Sequence, residues 1–218
     1  MLACLRIAPS RAPALTAIAA LAALAFTFAI AGCGGSPRQG QTTGASEAST
    51  PSASGFDGAA LPGGIGAPAF TLHDSSGTRV SLRSYHGRVV ILAFLYSTCG
   101  SPCVLIAQQI RGALDELPHP VPVLIVSVDP RADTPANIRR FLAAVSLSGR
   151  ARYLTGSATQ LRAVGSAYRV KPPSAGRAAF ARSTPIVLID RAGNERVLYE
   201  LEQLTPESVS HDVRVLLG

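Results

Sequence analysis

Tryptophan is missing from this 218-residue chain, lysine occurs once, at Lys171, and cysteine four times, at Cys4, Cys33, Cys99 and Cys103. The arginines are scattered, with no basic run and no interleaved aromatics. The formal net charge of +7, of which Arg6 and Arg11 supply two, therefore argues for attraction to an acidic partner or anionic lipid rather than for nucleic-acid binding. No internal repeat is visible. The longest apolar stretch, Ala14 to Phe28, is shorter than the roughly 20 residues that a membrane-spanning helix needs. Large apolar side chains are almost absent from residues 34–60, where Gly, Ser, Thr, Ala, Pro and Gln dominate. Such a segment cannot bury enough surface to offset its chain entropy, and it reads as a flexible tether. Residues 61–218 have the composition and size of one globular domain with a proper core.

What that domain does contain is a close cysteine pair, Cys99-Gly-Ser-Pro-Cys103, directly behind a buried-strand run, Val89 to Tyr96. A strand that delivers two cysteines to a helix start makes a redox or soft-metal site. If Cys103 lies one helical turn after Cys99, both side chains leave the same helix face at a Cα separation of about 6 Å, within the disulfide range. The unpaired amides of the helix N-terminus favour thiolate, which makes Cys99 the expected nucleophile and Cys103 the resolving thiol. Pro102 in the first turn loses only an amide that has no partner there. A purely structural disulfide is the plainer alternative, common outside the cytoplasm, but so short a loop would stabilise the fold only slightly.

Arg6 and Arg11, the apolar stretch and then Ile30-Ala31-Gly32-Cys33 resemble a bacterial lipoprotein export signal. The resemblance implies removal of residues 1–32, lipid on the Cys33 thiol, and Cys99 and Cys103 as the only free cysteines. An uncleaved signal anchor would serve the same end. The expected organisation is a signal peptide (1–32), a lipidated cysteine with a tether (33–60) and one domain (61–218). That domain would be held at the extracytoplasmic face of the membrane, among membrane and envelope proteins.

Along the domain, Ala69–Asp74 and Thr78–Leu82 read as a hairpin about Ser75–Gly77, followed by the strand at 88–96 and a helix to about Leu117 with Leu105, Ile106, Ile110 and Leu114 on one face. Val121–Val128 is a second apolar strand. Asp133-Thr134-Pro135 caps a helix with Ile138, Phe141, Leu142 and Val145 inward. A short strand at Tyr153-Leu154, a helix from Ala158 to Tyr168, strands at 186–190 and 196–201 and a last helix from Pro206 complete the order. Strands alternating with helices predict an α/β fold with a mixed central sheet, helices on both faces and an N-terminal β-hairpin extension.

This order, with the cysteines at a strand-to-helix junction and Thr184-Pro185 before a later strand, resembles the thioredoxin fold, in which such a proline faces the cysteines and is often cis. Several stretches narrow the resemblance to the Sco (SenC) family of thioredoxin-fold copper proteins: Phe70-Thr-Leu-His-Asp74 with Val80-Ser-Leu82, Gly87 through Cys99 into Cys-x-x-x-Cys, and Ser127-Val-Asp-Pro-Arg-Ala-Asp-Thr-Pro135. That family implies copper bound by both cysteines and a histidine ahead of the late strand, in assembly of the copper site of cytochrome c oxidase. The cysteines carry over to Cys99 and Cys103. The histidine does not, because counting back from Ile186–Asp190 puts Arg182 at its place, and no histidine falls between His119 and His211. Two thiolates can still hold Cu(I), whereas Cu(II) lacks its imidazole. Arg182 near the thiols would favour thiolate and disfavour a bound cation. His73, His86, His119 and His211 read as surface or packing residues, with His86 the first to test as a ligand.

The expected function is therefore a Sco-like copper metallochaperone, a thiol-disulfide reductant for a copper-receiving partner, or both. The alternative is a general envelope oxidoreductase without metal, supported by the missing histidine and opposed by the Cys-x-x-x-Cys spacing. Peroxidase chemistry fits poorly. Ser97-Thr-Cys99-Gly100 resembles glutathione peroxidases, but their tryptophan is missing, and Tyr96 stands where peroxiredoxins have a threonine.

Overall fold

The unbroken apolar run Val90–Leu95 is buried at all six positions and forms the centre of the molecule. A strand buried on both faces must be covered on both, and the rest of the chain supplies the two layers. The structure is a computed structural model that describes residues 54–171, 180 and 186–218. Cys4, Cys33, Arg182, Pro185 and nearly all of the expected tether lie outside the described residues.

The strands are β1 (Ala59–Ala60), β2 (Thr71–Asp74), β3 (Arg79–Ser81), β4 (Val90–Leu95), β5 (Val123–Ser127), β6 (Ala151–Thr155), β7 (Ile186–Ile189) and β8 (Glu195–Tyr199). The helices are α1 (Ser101–Glu116), α2 (Pro135–Ala144), α3 (Ala158–Ala167) and α4 (Pro206–Leu217). All strands join one sheet in the order β1-β8-β7-β4-β5-β6-β2-β3. β4, β5 and β6 are parallel, and every other pairing is antiparallel. The mixed sheet and the hairpin β2–β3, which extends the sheet through β6, agree with the sequence expectation.

One face of the sheet carries α1, α2 and α4 through Ile106, Ile110, Ile138, Phe141, Val209 and Val213. The opposite face packs Leu72, Phe94, Val126 and Val187 against Leu161 of α3 and Tyr168 just beyond it. Helix starts follow their cap chemistry. Thr134 accepts from the Asn137 amide ahead of Pro135, Ser157 and Gln160 form a reciprocal capping box, and Thr205 accepts from the Ser208 amide ahead of Pro206. The α1–α4 contact depends on Gly112, where a Cβ would come within 2.8 Å of the Pro206 ring.

Three expectations change. The inward stripe of α1 is Cys103, Ile106, Ala107, Ile110 and Ala113, while Leu105 is 43% exposed. Ala107 and Ala113 fill inward positions that the apolar spacing had not marked, and Leu105 falls outside the buried stripe. The packed chain also starts before Leu61: Phe56 is buried, β1 pairs with β8, and a Cβ on Gly58 would overlap Val197 and Tyr199. The amides of Asp57 and Gly58 donate to the buried Asp212 carboxylate at 2.8 and 3.0 Å, and the Tyr199 hydroxyl donates to the same group. Finally, Asp133 is not the cap of α2, because Thr134 takes that position.

Candidate functional site

Parallel strands bring their carboxyl ends to one edge of the sheet, the usual place for chemistry in α/β folds. The end of β4 leads there through Tyr96, Ser97 and Thr98 to Cys99, and α1 starts two residues later. Cys99 lies just outside the helix, its amide donating to the Tyr96 carbonyl at 3.2 Å, and Cys103 sits in the first helical turn. The two do not share a helix face as the spacing suggested. They nevertheless meet: Cys99 and Cys103 form a disulfide with a Cα separation of 5.9 Å. Gly100 caps the helix at φ 83° and ψ −149°, a backbone region essentially reserved for glycine. That conformation turns the chain from the strand into the helix within one residue, so the glycine between the cysteines is a requirement of the loop.

The sulfur pair is almost sealed, with Cys99 2% and Cys103 0% exposed. Both belong to the core cluster that includes Tyr96 and Phe180, whose rings lie 5.4 Å apart at 60°. Pro102 is half-buried, and Thr98, Gly100 and Ser101 form the exposed rim.

The loop is anchored by a residue that the sequence reading treated as part of a helix cap. Asp133 is 5% exposed and accepts from the Ser97 amide at 2.6 Å, the Ser127 hydroxyl at 2.5 Å and the Tyr153 hydroxyl at 2.9 Å. One carboxylate thus ties the residue two before Cys99 to the end of β5 and the middle of β6. Burial, and then the Asp133 charge, push the Tyr153 phenol well above its usual range. The sequence held the clue: with Thr134 directly before Pro135 as the cap, Asp133 was left without a helical role. Asp129 is a turn residue, accepting from the Arg131 and Ala132 amides.

No third metal-ligating side chain converges on the sulfurs among the described residues, where the one His/Cys/Asp/Glu cluster is Asp57, His211 and Asp212. His86 lines a cleft beside Arg83, Arg88 and Asp190, and His119 lines a groove with Pro118 and Pro120. His73 is exposed in the outer hairpin. None of the four is placed as a ligand to the cysteine pair. Arg182 and Pro185 lie outside the described residues.

A mixed sheet with a cysteine pair between its central strand and the helix that follows defines a thioredoxin-like protein with thiol chemistry. The family model of SCO1/SenC matches residues 61–218, and the chain belongs to that family. No curated protein sequence matches it significantly. Among solved structures, a SCO1/SenC family lipoprotein from Bacillus anthracis is 19% identical with a TM-score of 0.60, covering 72% of this chain and 98% of its own. ScoI from Bradyrhizobium japonicum, solved with copper bound, is 26% identical with a TM-score of 0.51 over 70% of this chain and 99% of its own. BsSco, a Sco-family cytochrome c oxidase assembly protein in which a disulfide switch was identified, is 23% identical with a TM-score of 0.57, over 70% of this chain and 94% of its own.

Proposed function

We propose that the protein is a membrane-tethered, extracytoplasmic Sco protein whose Cys99–Cys103 pair reduces cysteines in the copper-site subunit of cytochrome c oxidase and carries Cu(I) as cargo. The observation that carries this reading is the buried Cys99–Cys103 disulfide at the carboxyl end of β4. Family membership, the copper-bound Bradyrhizobium relative and the disulfide switch of BsSco support it. The lipobox ending at Cys33 supports the anchor and the location.

In the redox step the Cys99 thiolate attacks one sulfur of a partner disulfide and releases the other as thiolate. Cys103 then displaces the partner from the mixed disulfide, so two electrons pass from this pair to the partner. A dithiol reductant of the envelope restores the pair by the same exchange. Cu(I) needs the reduced, deprotonated cysteines, so occupancy and disulfide state exclude one another. Two thiolates suit the soft Cu(I) ion, and the donor set lacks what Cu(II) prefers.

A metal-free envelope oxidoreductase is the second reading. It is favoured by the lack of a converging third ligand among the described residues. Anaerobic titration of the reduced protein with Cu(I), then Cu(II), separates the two, with Cys99→Ser/Cys103→Ser as control. One-to-one Cu(I) binding that needs both cysteines supports carriage. Ready exchange with a dithiol but no copper binding leaves the reductant alone.

A further inference from the structure

The edge of the sheet opposite the cysteines is basic. Arg88 precedes β4, Arg150 precedes β6 and Arg152 lies near its start, and these three line one cleft of about 260 Å³ with Tyr85, Pro120 and Gly149. Pro120, Gly149 and Arg150 also border a groove of about 450 Å³ walled by Leu114, Leu117, Pro118 and His119. A second cleft adds Arg83 and His86, and the exposed Arg191 follows β7 at the same end.

Acidic groups here neutralise only part of this charge. Asp115 is shared by Arg111 and Arg150, Asp190 pairs with Arg196, and Asp74 reaches Arg152 only at 3.9 Å. Arg83, Arg88 and Arg191 form no ion pair among the described residues. Among the described residues, strand direction places Asp129 and Arg131, just beyond β5, and Glu200 and Glu202, just beyond β8, at the cysteine end. Among the described residues, basic side chains gather where β4 and β6 begin.

From this geometry we infer that the basic pole docks on an anionic phospholipid bilayer, with lipid phosphates at the Arg88–Arg150–Arg152 cleft, and turns the cysteine end away from the membrane. The charge pattern stands alone, whereas the orientation rests on the tether proposed above. Strand directions make that orientation informative. β8 runs parallel to β4 and β1 runs against β8, so the chain before Ala59 leaves the domain at the cysteine end. A tether acting alone would draw the cysteines toward the bilayer, and the basic pole opposes it. The roughly 20 residues between Cys33 and Ser54 reach about 25 Å as a coil and about 70 Å extended. They can pass the length of β4, about 20 Å, and let the far pole touch down.

Because the chain contains no tryptophan, single reporters read the contact directly. His119→Trp marks the pole and Leu105→Trp the cysteine end. The full chain is reconstituted in vesicles of brominated phosphatidylcholine, with or without an equal share of phosphatidylglycerol. The expected result is quenching of the His119 reporter in anionic vesicles alone, lost in high salt and in Arg88→Gln/Arg152→Gln, with the Leu105 reporter unquenched throughout. Retention on neutral vesicles reports the tether separately. If the tether fails, salt-sensitive association with anionic vesicles still tests the pole. Equal quenching of both reporters overturns the orientation. An unquenched His119 reporter overturns membrane docking and leaves the pole to an acidic protein. Unchanged binding by Arg88→Gln/Arg152→Gln, with its unfolding temperature intact, removes the cleft from the contact. Binding of inorganic phosphate at the cleft without vesicle contact identifies a free-anion site and overturns the bilayer as occupant.

Discussion

Replacing Asp133 with alanine removes the acceptor for three donors at once, and its effect can be worked from the geometry. The Ser97 amide, the Ser127 hydroxyl and the Tyr153 hydroxyl all point at this one buried carboxylate. A hydrogen bond to a charged group contributes about 1.5–3 kcal/mol, and a buried donor left unpaired costs about 1–3 kcal/mol. The hydroxyls can turn, and Tyr153 already lies 3.4 Å from the Leu95 carbonyl, so the Ser97 amide is the main orphan. Allowing for that relaxation, Asp133→Ala should lower stability by about 3–5 kcal/mol, and Asp133→Asn, which keeps one acceptor, by about 1–2 kcal/mol. Urea unfolding of the oxidised protein measures both. A double-mutant cycle then isolates the network: Tyr153→Phe should cost about 1 kcal/mol alone and almost nothing in the Asp133→Ala background. The anchored residue is two positions from Cys99. If a third of the loss falls on one redox state only, the reduction potential moves by about 20–35 mV, read by equilibration with a dithiol buffer. Equal costs of Tyr153→Phe in both backgrounds, or a loss below about 1 kcal/mol for Asp133→Ala, would refute the anchor.

Gly100→Ala places a Cβ at φ 83° and ψ −149°, so it should cost about 1–3 kcal/mol and slow closure of the disulfide, measured by thiol trapping during refolding. Asp212→Ala frees the amides of Asp57 and Gly58 and the Tyr199 hydroxyl, and should expose residues 54–60 to proteolysis and rapid hydrogen exchange before the sheet opens. Burial raises the Asp190 carboxyl, but hydrogen bonds from Asn194 and Arg196 outweigh it and set the net value below the ordinary 3.8. A depressed folded value gives stability that is present above pH 3.8 and lost as pH falls through the folded value. Asp190→Asn should therefore flatten the acid limb of a stability–pH curve and leave its slope near neutrality unchanged.

The parts of this fold that were legible in the sequence are those where one interaction dominates. β4 and β5 show as apolar runs because both of their faces are buried. α2 shows through the Thr134-Pro135 start that the structure uses as its cap, and α3 and α4 appear close to their expected ranges. β1 left no trace, since Ala59-Ala60 behind Gly58 has neither bulk nor alternation. It is held by backbone pairing and by a carboxylate more than 150 positions away in the chain. Asp133 was hidden for a related reason: a buried acceptor is defined by donors from β5, β6 and the cysteine loop, which no local window contains. Leu105 was misplaced because the large apolar residues of α1 satisfy helical spacing in two neighbouring settings, while the buried stripe includes the small Ala107 and Ala113, which carry little apolar signal.

Sealing both sulfurs of the Cys99–Cys103 bridge has a kinetic meaning. Thiol exchange requires in-line approach of an attacking sulfur, and a disulfide with almost no accessible surface slows that approach for small thiols. Its oxidation state can then persist out of step with the surrounding redox buffer. A macromolecule able to open the rim at Thr98, Gly100 and Ser101 would reset it faster. In such an arrangement access, rather than potential, sets the rate at which the bond is reset.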